Sequence, residues 1–262
     1  MASSIIGGLI ASGRPASAIR VSDPMESQRN DLTKKFGVRC FADNKTCIEG
    51  ASVVVLAVKP QMLRAALSTM SDALALAKPL VISIVAGISS SDTLGWIGTD
   101  LPFIRVMPNT PALVNRGVSG LYATSFTSNA QQALATSLME SVGKVVWVND
   151  ESLIDTVTGV SGSGPAYFFK LMELMMAEAE ANGLDTESAR TLVVETAAGA
   201  ATLMQQSPLT PEELRRQVTS PGGTTNAGIQ FMEQAGIEHA VRGGVRAAVL
   251  RSAELAEEFG GD

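Results

Sequence analysis

In the first half of the chain, near-continuous apolar runs at residues 18–21, 53–58, 80–85, 103–107 and 145–148 alternate with stretches of helical spacing. Runs without alternating polar positions predict strands covered on both faces, the pattern of a parallel sheet with crossover helices. This alternation predicts an α/β fold, a Rossmann-like dinucleotide-binding domain over residues 1–149. Past Asn149-Asp150 the strand-like runs stop, and residues 150–262, rich in Ala, Leu, Met and Glu, predict an all-helical domain. Residues 167–176, with Tyr167, Phe168, Phe169, Leu174 and Met176, form a helix apolar around much of its circumference. A helix of that kind needs neighbours on several sides, a second subunit among them. Its methionines read as flexible core or dimer-interface packing rather than as cofactor ligands. Farther on, Thr210-Pro211-Glu212-Glu213 predicts a helix start, with Thr210 as N-cap, Pro211 first in the helix and the two acids at the positive end of its dipole.

Composition narrows the class. With 262 residues, 45% hydrophobic and 18% charged, the chain can bury one large core or two smaller ones. A net charge of -6 with scattered Lys and Arg disfavours phosphate backbones, so nucleic acid is not an expected partner. Cys40, Cys47 and the single histidine, His239, supply neither a disulfide framework nor a metal site of familiar spacing. His239 reads as a surface or capping residue near Gly236. The opening Met-Ala-Ser-Ser-Ile-Ile lacks a basic region, and no apolar run approaches the roughly 20 residues needed to cross a bilayer. The expectation is a cytoplasmic protein without targeting signal or membrane span.

Candidate chemistry gathers where strands end. Ala57-Val58-Lys59-Pro60 closes the strongest apolar run, on the side where α/β sheets bind ligands. Ile84-Val85-Ala86-Gly87 closes the next, with a glycine that permits close approach to a flat ring or simply makes a turn. Arg105-Val106-Met107-Pro108-Asn109-Thr110-Pro111 closes the third with a loop stiffened by two prolines. In the second half, Val218-Thr219-Ser220-Pro221-Gly222-Gly223-Thr224-Thr225 precedes a helix whose exposed N–H groups suit an anion such as a carboxylate. The alternative there is a cap by Thr224 or Thr225. Ser161-Gly162-Ser163-Gly164-Pro165 does not meet the Gly-x-Ser-x-Gly pattern of a nucleophile elbow, which favours a tight turn before a helix over a hydrolase site.

Taken in order, Ala57-Val58-Lys59-Pro60, Val106-Met107-Pro108-Asn109-Thr110-Pro111, Gly159-Val160-Ser161-Gly162-Ser163-Gly164-Pro165-Ala166-Tyr167 and Thr219-Ser220-Pro221-Gly222-Gly223-Thr224-Thr225 resemble the pyrroline-5-carboxylate reductase family. The resemblance implies a cofactor domain followed by a helical dimerisation domain, in homo-oligomers built from interlocked dimers. It implies reduction of 1-pyrroline-5-carboxylate to L-proline, the last step of proline biosynthesis, by hydride from NADPH, with NADH as the other candidate. By the same resemblance Ser22, Asn44, Ala57, Val58, Lys59, Pro60, Ala86 and Gly87 lie along the cofactor. Ser220, Gly223, Thr224 and Thr225 hold the substrate, with Thr225 on its ring nitrogen. Asp23 could accept from a ribose hydroxyl and favour NADH, whereas Ser22 with Arg29 could favour the phosphate of NADPH.

Members of the family begin with an apolar strand and a glycine-rich turn ending in Asn-Met, ahead of a helix that residues 2–10 resemble here. Met1 therefore resembles an internal methionine, and without that strand two neighbouring strands are expected to carry unpaired edges. Weak activity or poor folding of this chain would follow. Two further readings compete: a reductase of another small imine or keto acid, and a catalytically silent subunit that only oligomerises.

Overall fold

A computed structural model describes residues 1–260. Two compact units divide at Ser163/Gly164, and the chain from Ala247 onward returns to the first. Sequence character therefore changes at Asn149-Asp150, while packing divides later.

The first unit holds β1 (Arg20–Ser22), β2 (Arg39–Phe41), β3 (Val53–Leu56), β4 (Leu80–Ser83), β5 (Phe103–Met107), β6 (Gly117–Ala123) and β7 (Gly143–Trp147). Around them run α1 (Ala2–Ala11), α2 (Glu26–Phe36), α3 (Asn44–Ile48), α4 (Pro60–Ser68), α5 (Ser71–Ala77), α6 (Ser90–Ile97), α7 (Asn129–Glu140) and α8 (Leu153–Val157). All five predicted strands form, β5 with the predicted ends and the other four with shifted ends, and β2 and β6 are additions. The strands make two sheets, β1-β2 and β3-β4-β5-β6-β7. Every pairing is parallel except β5 with β6. Among the described residues no strand joins β1 to β3, so each ends its sheet, the pair of open edges expected above.

Alternation along β4 and β5 sends side chains into two cores. Leu63, Leu67, Leu74 and Ile97 from α4 to α6 pack with Val81 and Phe103 in one cluster. Ile5 of α1 and Ala135, Leu138 and Met139 of α7 pack with Ile82, Ile104 and Leu121 in the other. Leu63 and Leu67 are fully buried, each contributing about 2 kcal/mol of apolar transfer. The expectation of strands covered on both faces holds for β4, but β3 leaves Val55 40% exposed beside its open edge.

One buried ion pair crosses the first unit. Arg105, 5% exposed on β5, meets Glu151 Oε1 at 3.1 Å. The same carboxylate accepts from the backbone N–H of Ser90 at 2.7 Å and, on its other oxygen, from the Ser90 hydroxyl. Glu151 thereby ties the start of α6 to the sheet, and its charge is balanced rather than stranded.

The second unit contains α9 (Gly164–Ala181), α10 (Thr186–Gln206), α11 (Pro211–Gln217), α12 (Thr224–Gln234) and the first part of α13 (Ile237–Gly260). Thr210 caps α11 in a reciprocal capping box with Glu213, and Pro211 opens the helix, as predicted. Asp185 caps α10 through the N–H of Ser188. Buried side chains are few here; Phe168, Phe169, Leu174, Leu192 and Phe231 are all exposed. His239 lies exposed on α13. Among the described residues, no helix is long and apolar enough to cross a membrane, and no group of three or more His, Cys, Asp or Glu side chains could hold a metal ion.

Candidate functional site

Ser22 is the last residue of β1 and Asn44 the first of α3. Folding brings them together: Ser22 Oγ donates to Asn44 Oδ1 at 2.7 Å. Asn44 Nδ2 in turn donates to Thr69 Oγ1 at 3.2 Å, and Thr69 donates to the carbonyl of Ala66 at 2.7 Å. Thr69, just after α4, thus joins a strand end to a distant helix end, a link no sequence pattern signalled. Burial pushes the Cys47 thiol up.

Asp23 and Arg29 take unequal parts beside Ser22. Asp23 Oδ1 accepts from the N–H of Met25 at 2.8 Å, which commits that oxygen to the local turn. Arg29 Nη1 donates to the carbonyls of Asp23 and Pro24 at 2.7 and 2.9 Å. Two bonds therefore fix a guanidinium next to the end of β1.

Ala57, Val58 and Lys59 follow β3 and are exposed, with Lys59 at the N-cap and Pro60 opening α4. Ala86 is exposed after β4, but Gly87 is buried. Its φ of +69° belongs to the left-handed region, and a Cβ there would meet Leu255 and Phe259 at 3.3 Å. The close approach foreseen at this glycine is made by side chains of α13.

The Pro-Asn-Thr-Pro loop serves as a clamp. Asn109, 7% exposed, accepts from the N–H of Val118 at 2.9 Å and donates to the carbonyl of Ser161 at 3.1 Å. It joins the start of β6 to the Ser/Gly segment. That segment is not the tight turn expected: Thr158–Gly162 is a wide π-helical turn running on from α8 towards α9.

In the second unit, α11 ends with Thr219 Oγ1 donating to the carbonyl of Arg215 at 2.6 Å, and Gly223 N–H closes a turn onto Ser220 O at 3.0 Å. Gly222 has a φ of +69°, which this turn requires. A Cβ on Gly223 would come within 2.5 Å of Ser220 Oγ, a contact that rotation of the serine side chain can relieve. Gly223 is the N-cap of α12 and offers no side-chain acceptor, while Thr224 and Thr225 lie inside the helix. The alternative of a threonine cap does not hold. First-turn N–H groups remain for a ligand, with both threonines exposed and no acid in the turn. Arg215 pairs with Glu233 at 3.5 Å, holding α11 and α12 across this loop.

Residues 151–255 match the family model for pyrroline-5-carboxylate reductase dimerisation, and residues 1–87 that for NADP oxidoreductase, coenzyme F420-dependent. The chain is 47% identical to pyrroline-5-carboxylate reductase of Pseudomonas aeruginosa, across 99% of this chain and 95% of that protein. It is 43% identical to the Vibrio alginolyticus enzyme, across 99% and 95%. Among solved structures, pyrroline-5-carboxylate reductase of Coxiella burnetii superimposes with a TM-score of 0.93 at 37% identity, covering 97% of this chain and 94% of that one. Together these establish an NADP-type oxidoreductase domain followed by a helical dimerisation domain, and the chain belongs to the pyrroline-5-carboxylate reductase family.

Proposed function

We propose that this chain reduces 1-pyrroline-5-carboxylate to L-proline with NADPH, and that the residue 220–225 loop carries the substrate. The observation behind this reading is the glycine-capped start of α12, where open N–H groups and the hydroxyls of Thr224 and Thr225 can grip a carboxylate.

The residues at the strand ends suit a dinucleotide. Ser4 Oγ, in the first turn of α1, is buried without a hydrogen-bond partner among the described residues, and that turn contains no acid. A pyrophosphate at the helix start would supply the missing acceptor. Arg29 offers charge for a 2′-phosphate, which favours NADPH, while Ser22 and Asn44 face the adenosine ribose. Ala57, Val58, Lys59, Pro60 and Ala86 line the path towards the nicotinamide, and Gly87 supports that path, itself backed by Leu255 and Phe259 of α13.

When bound, NADPH supplies the hydride for the carbon of the cyclic C=N bond. The substrate nitrogen arrives protonated as the iminium, so no protein acid is needed and the second electron pair settles on nitrogen. Thr225 Oγ1 accepts from that N–H and orients the ring, while the helix-start N–H groups and Ser220 fix its carboxylate. Catalysis is then positioning and electrostatics. The working form is a homo-oligomer of interlocked dimers.

Thr225→Ala is expected to lower turnover about tenfold, the value of one orienting hydrogen bond, and to leave the NADPH dissociation constant within about twofold. Equal loss of NADPH affinity would remove Thr225 from this role. The rival reading is a silent oligomerising subunit. Calorimetry finding no dinucleotide binding by an intact dimer would select it.

A further inference from the structure

We infer that Thr69 is a positioning residue for cofactor choice: through Asn44 it sets the direction in which the Ser22 hydroxyl points its proton. The inference rests on the cofactor reading above and refines it. Three bonds form one directional relay, Ser22 Oγ to Asn44 Oδ1 at 2.7 Å, Asn44 Nδ2 to Thr69 Oγ1 at 3.2 Å, and Thr69 Oγ1 to Ala66 O at 2.7 Å. A hydroxyl has a single proton. Thr69 commits its proton to Ala66 and can only accept from Asn44. The Asn44 amide must then turn its NH2 towards Thr69 and its oxygen towards Ser22, so Ser22 spends its own proton on Asn44. What Ser22 offers a ligand is a lone pair.

A lone pair suits the 2′-hydroxyl of an unphosphorylated adenosine ribose, which can donate. It does not suit a 2′-phosphate, whose oxygens only accept. To donate to a phosphate, Ser22 must leave Asn44 Oδ1 facing a second acceptor, or Asn44 must flip and draw the Thr69 proton from Ala66. Either change loses a hydrogen bond. Arg29 attracts the phosphate while Thr69 restrains its second donor, so the site accepts both nucleotides and Thr69 limits the preference between them.

Removing the acceptor on Thr69 should release the amide. Thr69 is exposed at a helix end, and valine keeps its shape. Titration calorimetry with 2′,5′-ADP and 5′-AMP, which differ by the 2′-phosphate alone, reads the preference directly. In Thr69→Val the preference for 2′,5′-ADP should rise about tenfold over the unmodified protein, one hydrogen bond's worth. Thr69→Ser, which keeps the hydroxyl, should restore the original ratio. A ratio in Thr69→Val within twofold of the original, or one that falls, overturns the role of Thr69 and leaves the cofactor reading standing. If neither nucleotide binds the unmodified protein, the cofactor reading fails and this inference with it.

Discussion

The two units are built on different terms. The first covers its own apolar side chains in two clusters on opposite faces of a sheet. In the second, among the described residues, Ala189 and Val193 are the only buried hydrophobic side chains, while Phe168 and Phe169 stand 65% and 63% exposed. Long helices with so little interior cannot hold themselves together by burial. The match of residues 151–255 to a dimerisation domain gives the difference its context: this unit is of a kind that pairs with another copy of the chain.

That contrast predicts separate failures. Glutamate at both Phe168 and Phe169 should raise the dimer dissociation constant about thirtyfold or more, since aromatic anchors dominate interfaces. Sedimentation equilibrium measures this, and an unweakened dimer would show that the face is not the contact. Glu151→Ala should act on the first unit instead. It leaves Arg105 buried without its carboxylate, at a cost of about 3 kcal/mol in urea unfolding, independent of protein concentration. Adding Arg105→Met should recover part of that loss, and no recovery would mean that the charge is not the cause.

The smallest effect is shared by both units. The Asp43 and Asp185 carboxyls are held below the ordinary carboxylate range, chiefly by the backbone N–H groups of Thr46 and Ser188 at their helix starts. A depressed folded-state value stabilises the protein above the unfolded pKa of about 4, and that stability is lost as pH falls through the folded value. Melting temperature should accordingly hold steady from about pH 7 to 5 and drop below about pH 4. Asparagine at both positions, which caps without titrating, should flatten that drop. An equally steep fall would assign acid sensitivity to other carboxylates.

Strands with bulky apolar residues were legible because β4 and β5 are fully interior to their sheet. β6 was not, and the reason lies in its packing. A Cβ on Gly120 would come within 2.6 Å of Val157, so the strand must use small residues where pattern reading looks for large ones. β2 is three residues long, led by the exposed Arg39, and presents no apolar run. The Gly-Gly-Thr-Thr loop was legible as a turn into a helix because turn chemistry and helix start lie together in sequence. The Thr69 relay was not, because Asn44 and Thr69 are 25 residues apart and meet only after folding. Nor does the apolar character of Leu255 and Phe259 reveal whether they face a second subunit or, as they do, Gly87 of the first unit.

That last contact alters the topology of the chain. Ser252 on α13 donates to Asp155 at 2.7 Å, and Leu255 and Phe259 shield Gly87, so the polypeptide re-enters the first unit after building the second. The helical unit is an insertion rooted at both ends. A single proteolytic nick at either root leaves the other covalently attached, and cutting the chain after Arg246 would strip the floor from beneath Gly87 instead of yielding a clean amino-terminal fragment.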